Sequence, residues 1–150
     1  MLAALTLTVY IFTTADCPIS NRYAPEIQRL ATKYGDNAKF VLVFPVASDT
    51  PRVISEYKVK FGYSLEHVRD NDHKLLRRIG ATVTPEVAVM KGDTVLYRGR
   101  IDDRYVELGR ERPKPTTHDL EDALRAAIAG KTIVVKQTRA VGCILADLVK

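Results

Sequence analysis

Residues 12–25 read FTTADCPISNRYAP, and this stretch decides how the chain is expected to fold. It closes an apolar segment and begins what reads as a helix, with Cys17 at the junction. Backbone amides at the start of a helix are unpaired and carry the positive end of the helix dipole, so they favour thiolate over thiol. Because thiolate is the reactive form of cysteine, we predict that Cys17 is a nucleophile.

The segment before this stretch is apolar. Leucine, valine and isoleucine alternate with threonine and tyrosine over residues 5–11, which predicts a first strand with one face in the core. Residues 1–12 lack a basic leader and a small-residue cleavage site, and they are too short and too rich in threonine to span a bilayer. We therefore expect no membrane span here, and any export signal would lie outside this sequence.

The remaining pattern alternates helices and strands. Predicted helices cover Asn21–Tyr34 (bent at Pro25), Thr50–Lys60 with Thr50 as cap and Pro51 in the first turn, Asp70–Ile79 (ended by Gly80) and Asp119–Ala129, capped by Thr116 or Thr117. Predicted strands cover Lys39–Phe44, Leu65–Val68, Glu86–Met90 and Thr94–Ile101, the last two as a hairpin. This order predicts a mixed sheet with helices on both faces.

Two motifs carry a resemblance to a known family. Cys17-Pro-Ile-Ser20 opens a helix with Pro25 eight residues after the cysteine, which resembles the active site of thioredoxin-fold proteins. The run Gly80-Ala-Thr-Val-Thr84-Pro85 before a strand resembles their cis-proline loop. The chain is similar to the redoxins, which include thiol-disulfide oxidoreductases and the alkyl hydroperoxide reductase and thiol-specific antioxidant proteins. The resemblance implies an α/β three-layer sandwich: a single domain over residues 1–150, with residues 131–150 as a tail.

The chain departs from the family pattern at three positions. Ser20 stands where the second cysteine is usual, so the short-range disulfide cannot form. Ile11 stands where thioredoxins place a buried carboxylate. Asp16 replaces an aromatic residue, and we expect its charge to raise the pKa of Cys17 against the helix dipole.

The second cysteine, Cys143, lies in the tail, 126 residues after Cys17. Three roles are open: a resolving thiol that pairs with Cys17, half of a structural disulfide worth about 5 kcal/mol by loop entropy, or a free buried cysteine. The preceding Gly142 would supply the backbone freedom for the tail to approach the active site.

From the resemblance we predict a thiol-disulfide oxidoreductase, with Cys17 as nucleophile and Cys143 or an external thiol resolving the mixed disulfide. We expect Ser20 to donate a hydrogen bond to the thiolate or to cap the helix. We expect Thr84 and Pro85 to hold an extended substrate backbone as an added strand.

Two other functions remain open. Peroxiredoxins use a Pro-x-x-x-Thr-x-x-Cys pattern, and Thr14 matches its threonine, whereas Tyr10 stands at the proline position. The arginine that polarises a peroxide would be Arg98, Arg100 or Arg104, although pairing of these with Asp102, Asp103 and Glu107 in a solvated loop is the simpler interpretation. The other alternative is a non-catalytic thioredoxin-fold module that binds an extended peptide and whose thiol does not react.

Composition limits the partners. The net charge of +5 is spread along the chain without interleaved aromatics, which argues against nucleic acid. His67, His73 and His118 lie in separate predicted elements, so we expect no metal and no cofactor. The expected partners are a protein or small-molecule disulfide or peroxide and an external thiol reductant. Two cysteines able to pair and the resemblance favour a periplasmic or otherwise exported location, while a cytoplasmic one remains open.

Overall fold

Strand β1 lies at the centre of a five-stranded sheet in a computed structural model that describes residues 6–148. The strands are β1 (Leu7–Phe12), β2 (Ala38–Phe44), β3 (Glu66–Arg69), β4 (Val83–Thr84), β5 (Glu86–Lys91), β6 (Thr94–Gly99), β7 (Tyr105–Glu107), β8 (Arg110–Glu111) and β9 (Cys143–Ile144). The sheet order is β3-β2-β1-β5-β6, with β1, β2 and β3 parallel and β5 and β6 antiparallel to their neighbours. Leu5, part of the predicted first strand, lies outside the described residues.

Within residues 6–148, five α-helices cover the two faces of this sheet. They are α1 (Pro18–Arg22), α2 (Ala24–Tyr34), α3 (Pro51–Phe61), α4 (Lys74–Ile79) and α5 (Asp119–Ile128). Alternation along β1 sends Leu7, Val9 and Ile11 into a core shared with α2, α3 and α5, whereas Phe12 packs in a second core with α4. The predicted mixed sheet with helices on both faces is confirmed. None of the helices between residues 6 and 148 has the length and apolar character needed to cross a membrane.

The helix predicted from Asn21 to Tyr34 is instead two helices. The chain leaves α1 at Tyr23, and Pro25 then occupies the first turn of α2, where a missing backbone N–H removes no helical hydrogen bond. The prediction that Pro25 bends one continuous helix is therefore wrong. The break leaves Cys17 before a helix of only five residues.

Local sequence signals hold best around α3. Thr50 Oγ1 accepts a hydrogen bond from the Val53 amide at 3.3 Å, Pro51 starts the helix, and Gly62 ends it with a φ of 70°. The capping prediction for α5 is wrong, because Thr116 and Thr117 do not cap it and His118 is its N-cap residue. The Thr116 and Thr117 amides donate to the Asp103 carboxylate.

Candidate active site

Cys17 sits at the end of the loop that follows β1. It is the N-cap residue of α1, and its Sγ accepts a hydrogen bond from the Ser20 amide at 3.5 Å. Its solvent-exposed fraction is 0%. The thiol therefore lies where the sequence predicts, at a helix start, but it has no direct contact with solvent.

The loop before β5 lies against this sulfur. The Thr84–Pro85 peptide bond is cis, and both residues are buried. The Cys17 thiol donates to the Thr84 carbonyl oxygen at 3.2 Å. The two sequence motifs, 67 residues apart, thus meet at a single hydrogen bond.

The C-terminal tail crosses the same place. We call residues 137–145 the strap. Within it, Cys143 and Ile144 form β9, which pairs antiparallel with β4 so that Cys143 is opposite Thr84. Thr84 is therefore the point at which both cysteines meet. The edge of β4 that was predicted to receive a substrate strand is occupied by the protein's own chain, so a substrate could use it only after the strap leaves.

The strap is fixed on both sides of Cys143. Before it, the Thr138 hydroxyl accepts from the Arg100 amide at 2.9 Å and lies 2.6 Å from the Tyr97 hydroxyl. After it, the Leu145 amide donates to the Thr82 carbonyl at 2.9 Å, and the Leu145 side chain is 2% exposed in the core around α4. These anchors keep the Cys143 side chain in contact with that of Cys17.

The two thiols are free in the structure and differ in acidity. Burial raises the pKa of Cys17. Hydrogen bonds from the Cys143 thiol, the Ser20 and Thr84 hydroxyls and the Ser20 amide together lower it by more than burial raises it, so the net pKa falls below its ordinary value of 9.0. Burial and the neighbouring Cys17 raise the pKa of Cys143 to about 12. The pair therefore loses its first proton from Cys17 and keeps the second on Cys143, which donates to the thiolate.

Two buried hydroxyls lie beside the Cys17 sulfur. The Ser20 and Thr84 side-chain oxygens are buried, and no partner for either is present within the described chain. Both interact with Cys17 in its charged form. A buried hydroxyl without a partner is costly, so ionisation of Cys17 supplies the acceptor that each lacks.

A buried carboxyl that the sequence did not indicate lies between β2 and α3 and contacts the loop before Cys17. Asp49 is 2% exposed, and its Oδ1 accepts from the Ala15 amide at 3.2 Å. Burial raises the pKa of Asp49, while the Thr14 hydroxyl and the Ala15 amide oppose this effect. Thr14 thus interacts with Asp49, and its carbonyl accepts from the Cys17 amide. Asp16, expected to raise the pKa of Cys17, is exposed, and that pKa is lowered.

The three candidate arginines are engaged away from Cys17. The nearest side-chain partners of Arg98, Arg100 and Arg104 are, in that order, the Gly80 carbonyl at 2.7 Å, the Asp119 carboxylate at 2.8 Å and the Pro113 carbonyl at 3.5 Å. The expected pairing of these side chains with Asp102, Asp103 and Glu107 is wrong, since Asp103 pairs with Arg112 instead. Arg98 therefore binds the start of the cis-proline loop, and Arg100 binds the first residue of α5.

In sequence comparisons, no protein-family model and no curated protein matches the chain. Structural comparison finds an uncharacterised conserved protein from Geobacillus kaustophilus with a TM-score of 0.80 at 23% identity, covering 94% of this chain and 77% of that one. A thioredoxin-like protein in its oxidised form matches with a TM-score of 0.62 at 19% identity, covering 87% and 82%. The chain has the thioredoxin fold.

A further thioredoxin-fold match carries a described activity. A secreted Mycobacterium tuberculosis disulfide oxidoreductase homologous to E. coli DsbE matches with a TM-score of 0.54 at 19% identity, covering 83% of this chain and 81% of that one. The resemblance predicted from Cys17, Pro25 and the Thr84–Pro85 loop is therefore confirmed at the level of the fold. At such identities the residues that perform chemistry must be argued from this chain's own geometry.

Proposed function

We propose that this chain is a thiol-disulfide oxidoreductase in which Cys17 is the nucleophile and Cys143 the resolving thiol. One observation carries the proposal: Thr84 accepts the Cys17 thiol through its carbonyl and pairs with Cys143 in the β4–β9 ladder. A dithiol with one acidic and one basic member is suited to exchange, because the acidic thiol attacks and the other holds its proton until needed.

The reaction begins when the strap lifts and uncovers Cys17. The Cys17 thiolate attacks one sulfur of a substrate disulfide, forming a mixed disulfide and releasing one substrate thiolate. The strap then returns, and Cys143 gives up its proton and attacks Cys17 Sγ. This step forms the Cys17–Cys143 disulfide and releases the second substrate thiolate, so the substrate gains two electrons and the protein loses two.

The remaining residues of the site support this cycle. The Ser20 and Thr84 hydroxyls stabilise the Cys17 thiolate whenever it forms, before attack and after reduction. Thr14 and Asp49 hold the loop that positions Cys17. While the strap is lifted, the edge of β4 at Thr84 and Pro85 is free to bind an extended substrate segment. A protein or small-molecule disulfide is the substrate class, and an external thiol restores the dithiol.

We place the protein in an oxidising compartment, where a thiol pair of this kind is used. The secreted disulfide oxidoreductase from M. tuberculosis with a similar fold supports this placement.

The test is reduction of insulin disulfides by the purified protein with a dithiol reductant. Cys17→Ser is expected to abolish turnover, and Cys143→Ser, incubated with insulin in the absence of reductant, to accumulate a mixed disulfide between Cys17 and the substrate. Retention of turnover in Cys17→Ser would refute the proposal. Faster consumption of hydrogen peroxide than of insulin disulfides would favour a thiol peroxidase, and peptide binding unchanged by Cys17→Ser without any trapped disulfide would favour a binding module.

A further inference from the structure

The two cysteines of the pair differ in their exposure to solvent. Cys17 is 0% exposed and contacts α1, the Thr84 loop and Cys143 of the strap, whereas Cys143 is partly exposed. The strap is anchored by Thr138 and Leu145 with both thiols free, so this difference does not depend on a disulfide. A bond between the sulfurs would add a covalent tether to the same arrangement.

We infer that the external thiol that reduces the oxidised protein attacks Cys143, the sulfur on the strap, and that Cys17 is the leaving group. This inference rests on the proposed function, because it requires the Cys17–Cys143 disulfide. It assigns substrate and reductant to different sulfurs: the substrate reacts at Cys17 with the strap lifted, and the reductant reacts at Cys143 with the strap in place.

The chemistry of exchange favours the same sulfur. A disulfide breaks faster when the thiol that leaves is the more acidic one. Attack on Cys143 releases Cys17, whose thiolate is stabilised by the Ser20 amide and by the Ser20 and Thr84 hydroxyls. Attack on Cys17 would release Cys143, whose thiolate is disfavoured by burial. Access and leaving-group stability therefore act in the same direction.

The electrons balance over two steps. A first external thiolate attacks Cys143 Sγ, forms a mixed disulfide there and releases the Cys17 thiolate. A second external thiol attacks the external sulfur of that mixed disulfide, forms the small disulfide and releases Cys143, which takes up a proton. The protein gains two electrons, and two external thiols are oxidised to one disulfide.

Peptide mapping of the first step tests the inference. Oxidised full-length protein is mixed with glutathione, and the reaction is quenched within the first turnover by a maleimide at mildly acidic pH. The protein is then digested with trypsin. Because Arg22 and Arg139 separate Cys17 from Cys143, the two cysteines fall in different peptides. We expect glutathione on Cys143 and the alkyl group on Cys17, with an excess over the reverse pattern on the order of tenfold or more.

The matched control is the same oxidised protein unfolded in guanidinium chloride, where both sulfurs are equally accessible and lose their folded surroundings. We expect glutathione to divide nearly evenly between the two cysteines. Glutathione mainly on Cys17 in the folded protein, or the same bias in both states, would overturn the inference and leave the proposed function standing. Absence of a Cys17–Cys143 disulfide after oxidation would overturn both.

Discussion

Gly142 packs against the carbonyl of Thr84, the group that also accepts the Cys17 thiol. A Cβ on Gly142 would overlap the Thr84 carbonyl oxygen and lie 2.6 Å from the carbonyl carbon. Real Cβ atoms do not approach backbone this closely, and backbone cannot move aside as a flexible side chain can. The glycine therefore lets the strap lie close enough to bring Cys143 to Cys17.

The first prediction concerns Gly142→Ala. Overpacking a close contact costs about 1–3 kcal/mol, so the methyl group should shift the equilibrium of the strap from docked to lifted by about fivefold or more. Disulfide formation between Cys17 and Cys143 should slow, and alkylation of the uncovered Cys17 in the reduced protein should speed up. Iodoacetamide labelling followed by peptide mapping measures both.

Gly109→Ala is the control for this substitution. Gly109 has no atom within 4 Å of the position of an added Cβ, so its substitution costs only the backbone strain that a φ of +82° imposes on any L side chain. We expect Gly109→Ala to leave both rates unchanged. Equal labelling of Cys17 in Gly142→Ala and in the unsubstituted protein would mean that the close contact does not hold the strap.

The second prediction concerns the acidity of Cys17. After burial, which raises its pKa, the thiol of Cys143 is the largest influence, and it lowers the pKa. Cys143→Ala removes this donor, so thiolate should form at a higher pH than in Cys143→Ser, which keeps a hydroxyl donor of similar size. Each variant contains a single thiol, so ultraviolet thiolate absorbance against pH reports Cys17 alone.

Identical titration midpoints in the two variants would contradict this assignment. Unsubstituted protein is expected to show one thiolate forming below pH 9.0, because Cys17 ionises first. The second thiolate should form only as the pH approaches about 12, the pKa of Cys143.

Sequence patterns predicted the elements whose signals are local. Strand β2 is apolar apart from Lys39, α3 carries Thr50 and Gly62 at its two ends, and the β5–β6 hairpin turns at Gly92. Each signal lies within the element that it defines, so neighbours in sequence suffice to interpret it. The fold class followed from the order of these elements and from the Cys17 and Thr84–Pro85 motifs.

The strap could not be predicted in the same way. Strand β9 has two residues, too few to show a period of alternation, and its partner β4 is about 60 residues earlier in the chain. The sequence left three roles open for Cys143, and only the register with Thr84 brings it to Cys17. Gly142 was singled out for backbone freedom, whereas the structure needs it for space.

The third prediction concerns the upstream anchor of the strap. The Thr138 hydroxyl accepts from the Arg100 amide and contacts the Tyr97 hydroxyl, so Thr138→Val leaves a half-buried amide without its acceptor at a cost of about 1–3 kcal/mol. The strap should lift more often, and trypsin should cleave after Arg139 about tenfold faster under native conditions. Mass spectrometry of the early fragments measures this rate.

Thr132→Val is the matched control, because Thr132 is exposed and precedes the strap. It should leave cleavage after Arg139 at the rate of the unsubstituted protein. A comparable acceleration in both variants would show that the substitution type, and not the Thr138 hydrogen bonds, governs how often the strap lifts.

The fourth prediction concerns a carboxylate that joins α5 to α2. Burial alone would raise the pKa of Glu121, but hydrogen bonds from Tyr34 at 2.6 Å, Arg29 at 2.9 Å and Lys33 at 3.1 Å bring it to about 2. The folded value lies below the ordinary value of 4.5, so the charged form stabilises the fold above that pH. Its contribution is lost as the pH falls towards about 2.

Glu121→Gln should therefore lower the free energy of unfolding by about 1–3 kcal/mol at neutral pH, a range reduced because Arg29 and Lys33 are largely exposed. The deficit should shrink as the pH falls from 4.5 and vanish near 2, where both proteins carry an uncharged group. Urea unfolding at several pH values measures it. Glu66→Gln, which removes an exposed partner of Lys39, should cost less than about 0.5 kcal/mol throughout. A deficit for Glu121→Gln that stays constant with pH would mean that its charge is not what joins the two helices.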